Sequence, residues 1–232
     1  MAAFGIVATA APVDLELVLA VDVSRSIDEH EAALQRQGYV AALTDPRVIR
    51  AISQGEHQKI AICYIEWAGS HYQRVVVPWR LVTDAASAAA FVAELQQFPP
   101  LSANWTSISG AIDFSAALFG AAGHVGKRKV IDISGDGRNN HGRPVSEARA
   151  EALQKGITIN GLPVINDRPN FSRPAERDLD IYYERQVIGG RDAFMVVADS
   201  FERFGEAILN KLIKEIAGLP AENLALAQPS LP

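Results

Sequence analysis

The sequence predicts an α/β protein: a three-layer, doubly wound fold in which helices cover both faces of a mostly parallel, six-stranded sheet. Apolar runs of strand length alternate along the chain with segments of helical periodicity, and this alternation is typical of such folds. The chain has 232 residues, of which 48% are hydrophobic and 21% charged. This is enough for one substantial core, so a single domain is expected.

The N-terminal part opens with a long apolar run, which predicts a buried strand. A change to helical spacing after Asp28 predicts a helix that ends near Asp45 and Pro46. Asp84 is placed to cap an alanine-rich helix. The predicted elements are strand 15–23, helix 28–45, further helical turns at 47–53, strands 59–67 and 72–81, and helix 85–97.

The C-terminal part alternates helix and strand, with Gly156 as a helix stop between two of them. Segment 166–174 is expected to be irregular. The predicted elements are helix 106–119, strand 129–134, loop 135–140, helix 144–155, strand 157–165, short helix 178–186, strand 193–198 and helix 201–217.

Connection lengths predict the strand order. The turn around Gly69 and Ser70 is too short for a crossover, so strand 72–81 should run antiparallel to strand 59–67 at an edge of the sheet. Right-handed crossovers elsewhere then predict the order 3-2-1-4-5-6.

Composition excludes several classes of protein. The net charge is −5 and no long basic block is present, which disfavours nucleic-acid binding. No stretch is long and apolar enough to predict a membrane span. Cys63 is the only cysteine, so neither a disulfide framework nor a thiolate metal site is expected. The sequence leaves the oligomeric state open.

The two ends of the chain are expected to lie outside the domain, which should cover residues 14–218. Residues 1–13 form an apolar tail rich in small residues, and its Ala-Thr-Ala at 8–10 is typical of a signal-peptidase site. A signal-peptide remnant would indicate a periplasmic or secreted protein, and a disordered tail on a cytoplasmic protein is the alternative. Residues 219–232 are expected to be disordered.

A group of oxygen-bearing residues follows the predicted strands. Asp22, Ser24 and Ser26 place one carboxylate and two hydroxyls at alternate positions just after the first strand. Strands 1 and 4 are neighbours in the predicted order, so Asp136 and, from the loop before the third helix, Thr106 should reach the same crevice. Hard oxygen ligands of this kind suit a small divalent cation such as Mg²⁺.

The sequence resembles the von Willebrand factor A (VWA) domain, which has a Rossmann-like fold, over residues 14–217. The residues named above match its metal-ion-dependent adhesion site (MIDAS). Segments 17–24, 65–68 and 133–137 are most similar to DUF1194, a bacterial family of exported proteins of unknown function.

The resemblance implies a role for each matching residue. Ser24, Ser26 and Thr106 would bind the metal directly, while Asp22 and Asp136 would hold coordinated waters. One coordination position would stay open for a carboxylate of a protein or peptide partner. Mg²⁺ is the expected ion, with Mn²⁺ or Ca²⁺ as alternatives.

The sequence departs from the usual VWA pattern at two positions. Gly135 stands directly before Asp136, where a threonine is usual. Trp105 stands directly before Thr106, in a loop that is usually rich in glycine. Trp105 is expected either to crowd the site or to form a contact surface for a partner.

Each of these residues also has a simpler interpretation. Ser24 and Ser26 would cap the helix that begins near Asp28, Thr106 would cap the third helix, and Asp136 would belong to a turn.

Three further polar residues have uncertain roles at this stage. Glu66 ends the second strand and is expected either to approach the crevice and tune the ion, or to pair with Arg74 on the neighbouring strand. Asn139 and His141 are expected at the rim of the crevice.

The function favoured by the sequence is a divalent-metal-dependent binding module that recognises an acidic group, and not an enzyme. Its rim loops, 139–143 and 166–174, would select the partner. The enzymatic alternative is a metal-assisted phosphohydrolase with Asp22 as nucleophile, but this chemistry needs a second aspartate where Ser24 stands. A degenerate VWA scaffold that binds no metal is the third possibility.

Overall fold

The computed structural model describes residues 10–121, 123–165, 176 and 178–218. Three expectations from the sequence lie wholly or mostly outside these residues: the signal-peptidase-like site at 8–10, of which only residue 10 is described, the rim loop at 166–174 and the tail at 219–232. In the part of the chain that is described, no helix has both the length and the apolar character needed to cross a membrane.

Strands and helices alternate along the chain, as expected. The strands are β1 Ala11–Val13, β2 Leu15–Asp22, β3 Ile60–Trp67, β4 Gln73–Val82, β5 His124–Gly126, β6 Lys129–Gly135 and β7 Ile157–Pro163. The helices are α1 Glu29–Leu43, α2 Pro46–Ser53, α3 Ala85–Gln96, α4 Ile108–Leu118, α5 Val145–Gln154, α6 Leu179–Tyr182 and α7 Phe204–Ala217. A 3₁₀ turn follows α4 at Phe119–Ala121, and a π-helical turn follows α6 at Tyr183–Val187.

The central sheet has five strands in the order β4-β3-β2-β6-β7. The pairs β2–β3, β2–β6 and β6–β7 are parallel, and β3–β4 is antiparallel. The predicted order is therefore confirmed for its first five strands, with the antiparallel strand at the predicted edge. Every residue of β2 is buried, because helices cover both faces of the sheet, and this explains its nearly continuous apolar run.

The core has two layers, one on each face of the sheet. Alternate side chains of β2 point to opposite faces, so Leu17 and Leu19 belong to one layer and Val18 and Ala20 to the other. The first layer packs against α1, α2, α3 and α7, and the second against α4, α5 and α6.

The predicted sixth strand at 193–198 is not formed. The backbone of this segment pairs only at two isolated parallel bridges, Met195 with Gly161 of β7 and Ala198 with Val164 just after β7. If 193–198 paired with β7 as a continuous parallel strand, the backbone N–H of residue 163 would have to donate the next hydrogen bond after that of Gly161. Residue 163 is a proline and has no backbone N–H. The proline therefore leaves separate bridges where the sequence pattern predicts a strand.

A small second sheet includes part of the expected N-terminal tail. β1 pairs in parallel with β5, the side chain of Val13 is fully buried, and its carbonyl accepts a hydrogen bond from the Lys127 backbone at 3.0 Å. The last three residues of the predicted tail at 1–13 thus belong to the fold. Helix α7 begins at Phe204, later than the predicted residue 201.

A buried group of charged residues joins β6, β7 and α7. The ammonium of Lys211 forms ion pairs with Asp132, at 2.6 Å, and with Glu215, and all three residues are almost completely buried. Asn160 donates a hydrogen bond to Glu215 at 3.1 Å. One cation thus faces two carboxylates, and burial together with the charge of Glu215 raises the pKa of Asp132 to about 7.

Asp132 is expected to lower stability as the pH rises from about 4 to about 7. In this window the folded protein keeps the proton on Asp132, whereas the unfolded chain releases it near the ordinary aspartate pKa. Each pH unit should therefore reduce the free energy of unfolding by up to about 1.4 kcal/mol.

Denaturant unfolding of wild type and Asp132→Asn across this pH range measures the effect, because the substitution removes the titrating group. The exposed Asp192 provides the control, and Asp192→Asn should keep the wild-type pH dependence. An equally steep dependence in Asp132→Asn would contradict the assignment.

Candidate metal centre

The first loop of the candidate centre follows β2, the middle strand of the sheet. Asp22 is fully buried at the end of this strand, and the Ser24 backbone donates to its Oδ1 at 2.7 Å. Ser24 Oγ lies 3.0 Å from Ser26 Oγ, and the Ser26 hydroxyl donates to Asp136 Oδ1 at 2.6 Å. The structure thus brings four of the five candidate ligands into one hydrogen-bonded group.

Thr106, the fifth candidate ligand, lies in the loop before α4, next to the loop that carries Asp136. The Ala103 backbone donates to the Val23 carbonyl at 3.1 Å, which holds the loop against the end of β2. The Thr106 backbone donates to Asn140 Oδ1 at 2.9 Å. A Cβ atom on Gly137 would lie 3.8 Å from Thr106 Oγ1, so the threonine hydroxyl faces the loop that carries Asp136.

The two neighbouring helices take their caps from other residues. Asp28 caps α1 by accepting from the Glu31 backbone at 2.8 Å. Ser107 caps α4 by accepting from the Gly110 backbone at 3.1 Å. Helix capping therefore does not account for the hydroxyls of the loops that precede these helices.

The electrostatics of the centre are unfavourable without a cation. Burial raises the pKa of the Asp22 carboxyl well above its ordinary range, and the nearby charge of Asp136 raises it further. Polar groups of Ser24 and Asp136 offset these effects only in part. Asp22 Oδ2 is buried and has no hydrogen-bond partner, so one acceptor in this site is left for a group from outside the chain.

The donor set fits a hard divalent cation. The three hydroxyls and two carboxylates are all oxygen donors, which is the preference of Mg²⁺, Mn²⁺ and Ca²⁺. Among the described residues, no cluster of three or more His, Cys, Asp or Glu side chains could hold a metal. An ion bound here would therefore depend on serine and threonine hydroxyls.

Glu66 is fully buried and forms ion pairs with two arginines, Arg36 and Arg74, the latter at 2.8 Å. Arg36 also donates to the carbonyls of Leu95 and Phe98 at the end of α3. Burial raises the pKa of Glu66, and the two guanidinium groups oppose this shift. The arrangement matches the alternative in which Glu66 pairs across the strands, since both of its oxygens have basic partners.

Trp105 is accommodated by pointing outward. Its φ is +70°, which is unusual for a residue with a side chain, and the residue is 56% exposed. Its ring stacks on His141 at a centroid distance of 5.6 Å, and the Ser70 backbone donates to His141 Nδ1 at 3.0 Å. A Cβ atom on Gly69 would lie 2.9 Å from the Asn104 carbonyl, so only glycine allows this loop to approach so closely.

Asn139 faces α4 and not the crevice. Its Oδ1 accepts from the backbone of Ser109 at 3.1 Å, and its own backbone N–H donates to the Tyr182 hydroxyl at 3.3 Å. Asn139 therefore holds the β6–α5 loop against two helices. The neighbouring Asn140 makes the side-chain contact with Thr106.

Two residues at the centre have no signal in the metal-binding pattern. Gly135 ends β6, and a Cβ atom there would come within 2.8 Å of Asp22 Oδ2 and 3.1 Å of the Tyr183 hydroxyl, which leaves no room for a side chain. The unusual residue before Asp136 is thus explained by close packing. The sequence shows the glycine at 135. Tyr183 comes from a distant segment, and no sequence motif connects it to the site.

The comparison with protein families gives one match. A model of the family DUF1194, described as a protein of unknown function, matches residues 12–220. The comparison with curated proteins finds no match.

Solved structures of three proteins show the fold type. Proximal thread matrix protein 1 from the mussel byssus has a TM-score of 0.66 at 13% identity, over 89% of this chain and 49% of that protein's chain. This chain therefore spans about half the length of the mussel protein. A second structure of the mussel protein, with 14% identity, the same TM-score and the same coverage, has a zinc-occupied MIDAS motif.

BatB, a conserved hypothetical protein from Bacteroides thetaiotaomicron, has a TM-score of 0.55 at 20% identity, over 88% of this chain and 100% of its own. A von Willebrand factor type A protein from Catenulispora acidiphila has a TM-score of 0.57 at 14% identity, over 88% and 42%. These similarities show that the fold is VWA-like.

Glu66→Gln is expected to destabilise the fold without changing metal affinity. The substitution leaves Arg36 and Arg74 without their common anion, at an expected cost of about 3 kcal/mol in the free energy of unfolding. Denaturant unfolding and Mn²⁺ titration measure the two effects.

Glu94→Gln is the matched control, since it breaks an exposed pair with Arg80 and should cost about 1 kcal/mol or less. A weaker Mn²⁺ affinity in Glu66→Gln at unchanged stability would instead assign Glu66 to the metal centre.

Proposed function

We propose a function from the candidate centre itself, because the chain belongs to DUF1194, a family described only as a protein of unknown function. The chain is a divalent-metal-dependent, MIDAS-type binding module that recognises an acidic group on a protein or peptide partner. The observation that carries this proposal is the joining of Asp22, Ser24, Ser26 and Asp136 in one hydrogen-bonded group with an unpartnered Asp22 oxygen.

The proposed metal is Mg²⁺, with Mn²⁺ or Ca²⁺ as alternatives. Ser24, Ser26 and Thr106 would hold it directly, and Asp22 and Asp136 would hold it through water. The zinc-occupied MIDAS motif of the mussel protein supports a divalent ion on this fold. Bound there, the ion would supply a positive charge that its neutral hydroxyl ligands leave largely uncompensated, and this charge suits a carboxylate ligand.

The rim adds two groups that suit an acidic partner. Arg25 is exposed in the loop after β2, and its guanidinium donates to Asn104 Oδ1 at 3.3 Å. Trp105 offers an exposed ring next to Thr106, held in place by its stack on His141. We therefore place the contact surface of the partner on the Arg25 and Trp105 side of the centre.

Binding is proposed in preference to catalysis. A phosphohydrolase that used Asp22 as nucleophile would need an aspartate two residues later, and Ser24 occupies that position with its hydroxyl next to Ser26. A periplasmic or secreted location is also proposed, on the composition of the N-terminal residues alone.

Thr106→Val is expected to weaken metal binding at least about tenfold, the scale on which even outer-shell substitutions act at metal sites. Valine keeps the shape of threonine and removes only the hydroxyl ligand. Calorimetric titration of Mg²⁺ and Mn²⁺ into EDTA-treated protein measures the affinity.

Ser115→Ala is the control, because it removes another buried hydroxyl, in α4, that has no hydrogen-bond partner. It should bind metal as the wild type does. Equal affinity of wild type and Thr106→Val would contradict the assigned ligand, and no saturable binding by the wild type would contradict the metal site.

Peptides captured by the immobilised protein in the presence of Mn²⁺ are expected to be rich in Asp and Glu. The expected cause is completion of the metal shell by a carboxylate, so EDTA should release these peptides. Sequencing of the EDTA eluate from a random peptide library measures the enrichment, and Thr106→Val protein serves as the control surface. An eluate without acidic enrichment would argue against an acidic partner.

A further inference from the structure

Two buried oxygens pack closely against the backbone at the end of β6. A Cβ atom on Gly135 would lie 2.8 Å from Asp22 Oδ2 and 3.1 Å from the Tyr183 hydroxyl. Neither oxygen has a hydrogen-bond partner, and both residues are fully buried. We infer that Tyr183 is a positioning residue for Asp22, whose hydroxyl orients the carboxylate in the metal centre; this inference rests on the proposed function.

Two glycines of the sheet allow the Tyr183 side chain to lie against the ends of β7 and β6. A Cβ atom on Gly161 of β7 would lie 2.8 Å from Tyr183 Cδ1, so the ring lies directly over the backbone of this strand. Gly135 then leaves room for the hydroxyl on the neighbouring strand, β6. Two glycines on adjacent strands thus allow one aromatic side chain to reach from the π-helical turn at Tyr183–Val187 to Asp22 on β2.

The hydrogen-bonding needs of the two oxygens are complementary. Asp22 Oδ1 already accepts from the Ser24 backbone, and only Oδ2 lacks a donor. A phenol carries one O–H donor, and Tyr183 has no other acceptor. One water between the two groups, accepting from the Tyr183 hydroxyl and donating to Oδ2, would satisfy both and fix the plane of the carboxylate.

The adjacent tyrosine supports the same segment at a second point. The Tyr182 hydroxyl accepts from the Asn139 backbone at 3.3 Å, in the loop that follows Asp136. Residues 182 and 183 therefore contact the loop after β6 and the end of β2 respectively. Both contacts are explained if the segment with Tyr182 and Tyr183 orients the groups of the metal centre.

Tyr183→Phe separates the hydroxyl from the ring, since phenylalanine keeps the packing against Gly161. The expected result is a Mn²⁺ affinity about tenfold weaker than that of the wild type. Tyr39→Phe is the matched control: Tyr39 is equally buried, but its hydroxyl donates to Ser134 on the other face of β6. It should keep the wild-type affinity.

A readout without metal tests the contact itself. The carboxyl ¹³C shift of Asp22 in metal-free protein should move in Tyr183→Phe and stay constant in Tyr39→Phe. Gly135→Ala offers a second perturbation, because its methyl group would displace the Asp22 carboxylate and should also weaken Mn²⁺ binding.

The outcomes distinguish the two proposals. If wild type and Tyr183→Phe bind metal with equal affinity, and the Asp22 carboxyl signal does not move, the inference is overturned. The proposed function then still stands. No metal binding by the wild type would overturn the proposed function, and with it the role assigned to Tyr183. A lower melting temperature of metal-free Tyr183→Phe at unchanged Mn²⁺ affinity would assign the hydroxyl to stability alone.

Discussion

A carboxylate buried at the end of the central strand is the constraint around which this part of the molecule is arranged. Asp22 is enclosed on all sides, so its charge has to be satisfied by groups that reach it through the sheet and its loops. The loop after β2 turns back so that Ser24 serves one oxygen. Residue 135 in β6 is a glycine because no side chain fits there, and the Tyr183 hydroxyl lies near the other oxygen of Asp22, Oδ2.

Three of the buried acids among the described residues, Glu66, Asp132 and Asp22, differ in what balances their charge. Glu66 has two arginines, and Asp132 shares the ammonium of Lys211 with Glu215. These groups are balanced by cations of the chain and hold helices to the sheet. Asp22 lacks a basic ion-pair partner among the described residues, and its closest charged neighbour is another acid. This lack of a balancing cation, together with the hydroxyls around Asp22, supports the cation proposed for the centre.

The sequence predicted those features of the fold and the site that depend on one local segment. Apolar runs predicted the five strands of the central sheet, connection lengths predicted their order, and the spacing of hydroxyls and acids predicted which loops meet, whereas the short strands β1 and β5 were not predicted. It failed where a distant residue decides. The missing N–H of Pro163 prevents a sixth strand. Glu66 and Asp22 both stand at strand ends, which suggests that they are close together. The alternation of side chains along the strands places them on opposite faces of the sheet. The approach of Tyr183 to Gly135 depends on tertiary packing that no local pattern encodes.

The prolines of the sheet have a consequence for how other molecules can approach it. Both outer strands contain one: the exposed Pro78 in β4 and Pro163 in β7. A strand that lacks a backbone donor at one position makes a poor template for an added strand, which protects sheet edges against self-association. Recognition by strand addition is therefore disfavoured on both sides. The loops at the carboxyl ends of the strands are left as the surface where a second molecule can bind without competing with the protein's own hydrogen bonds.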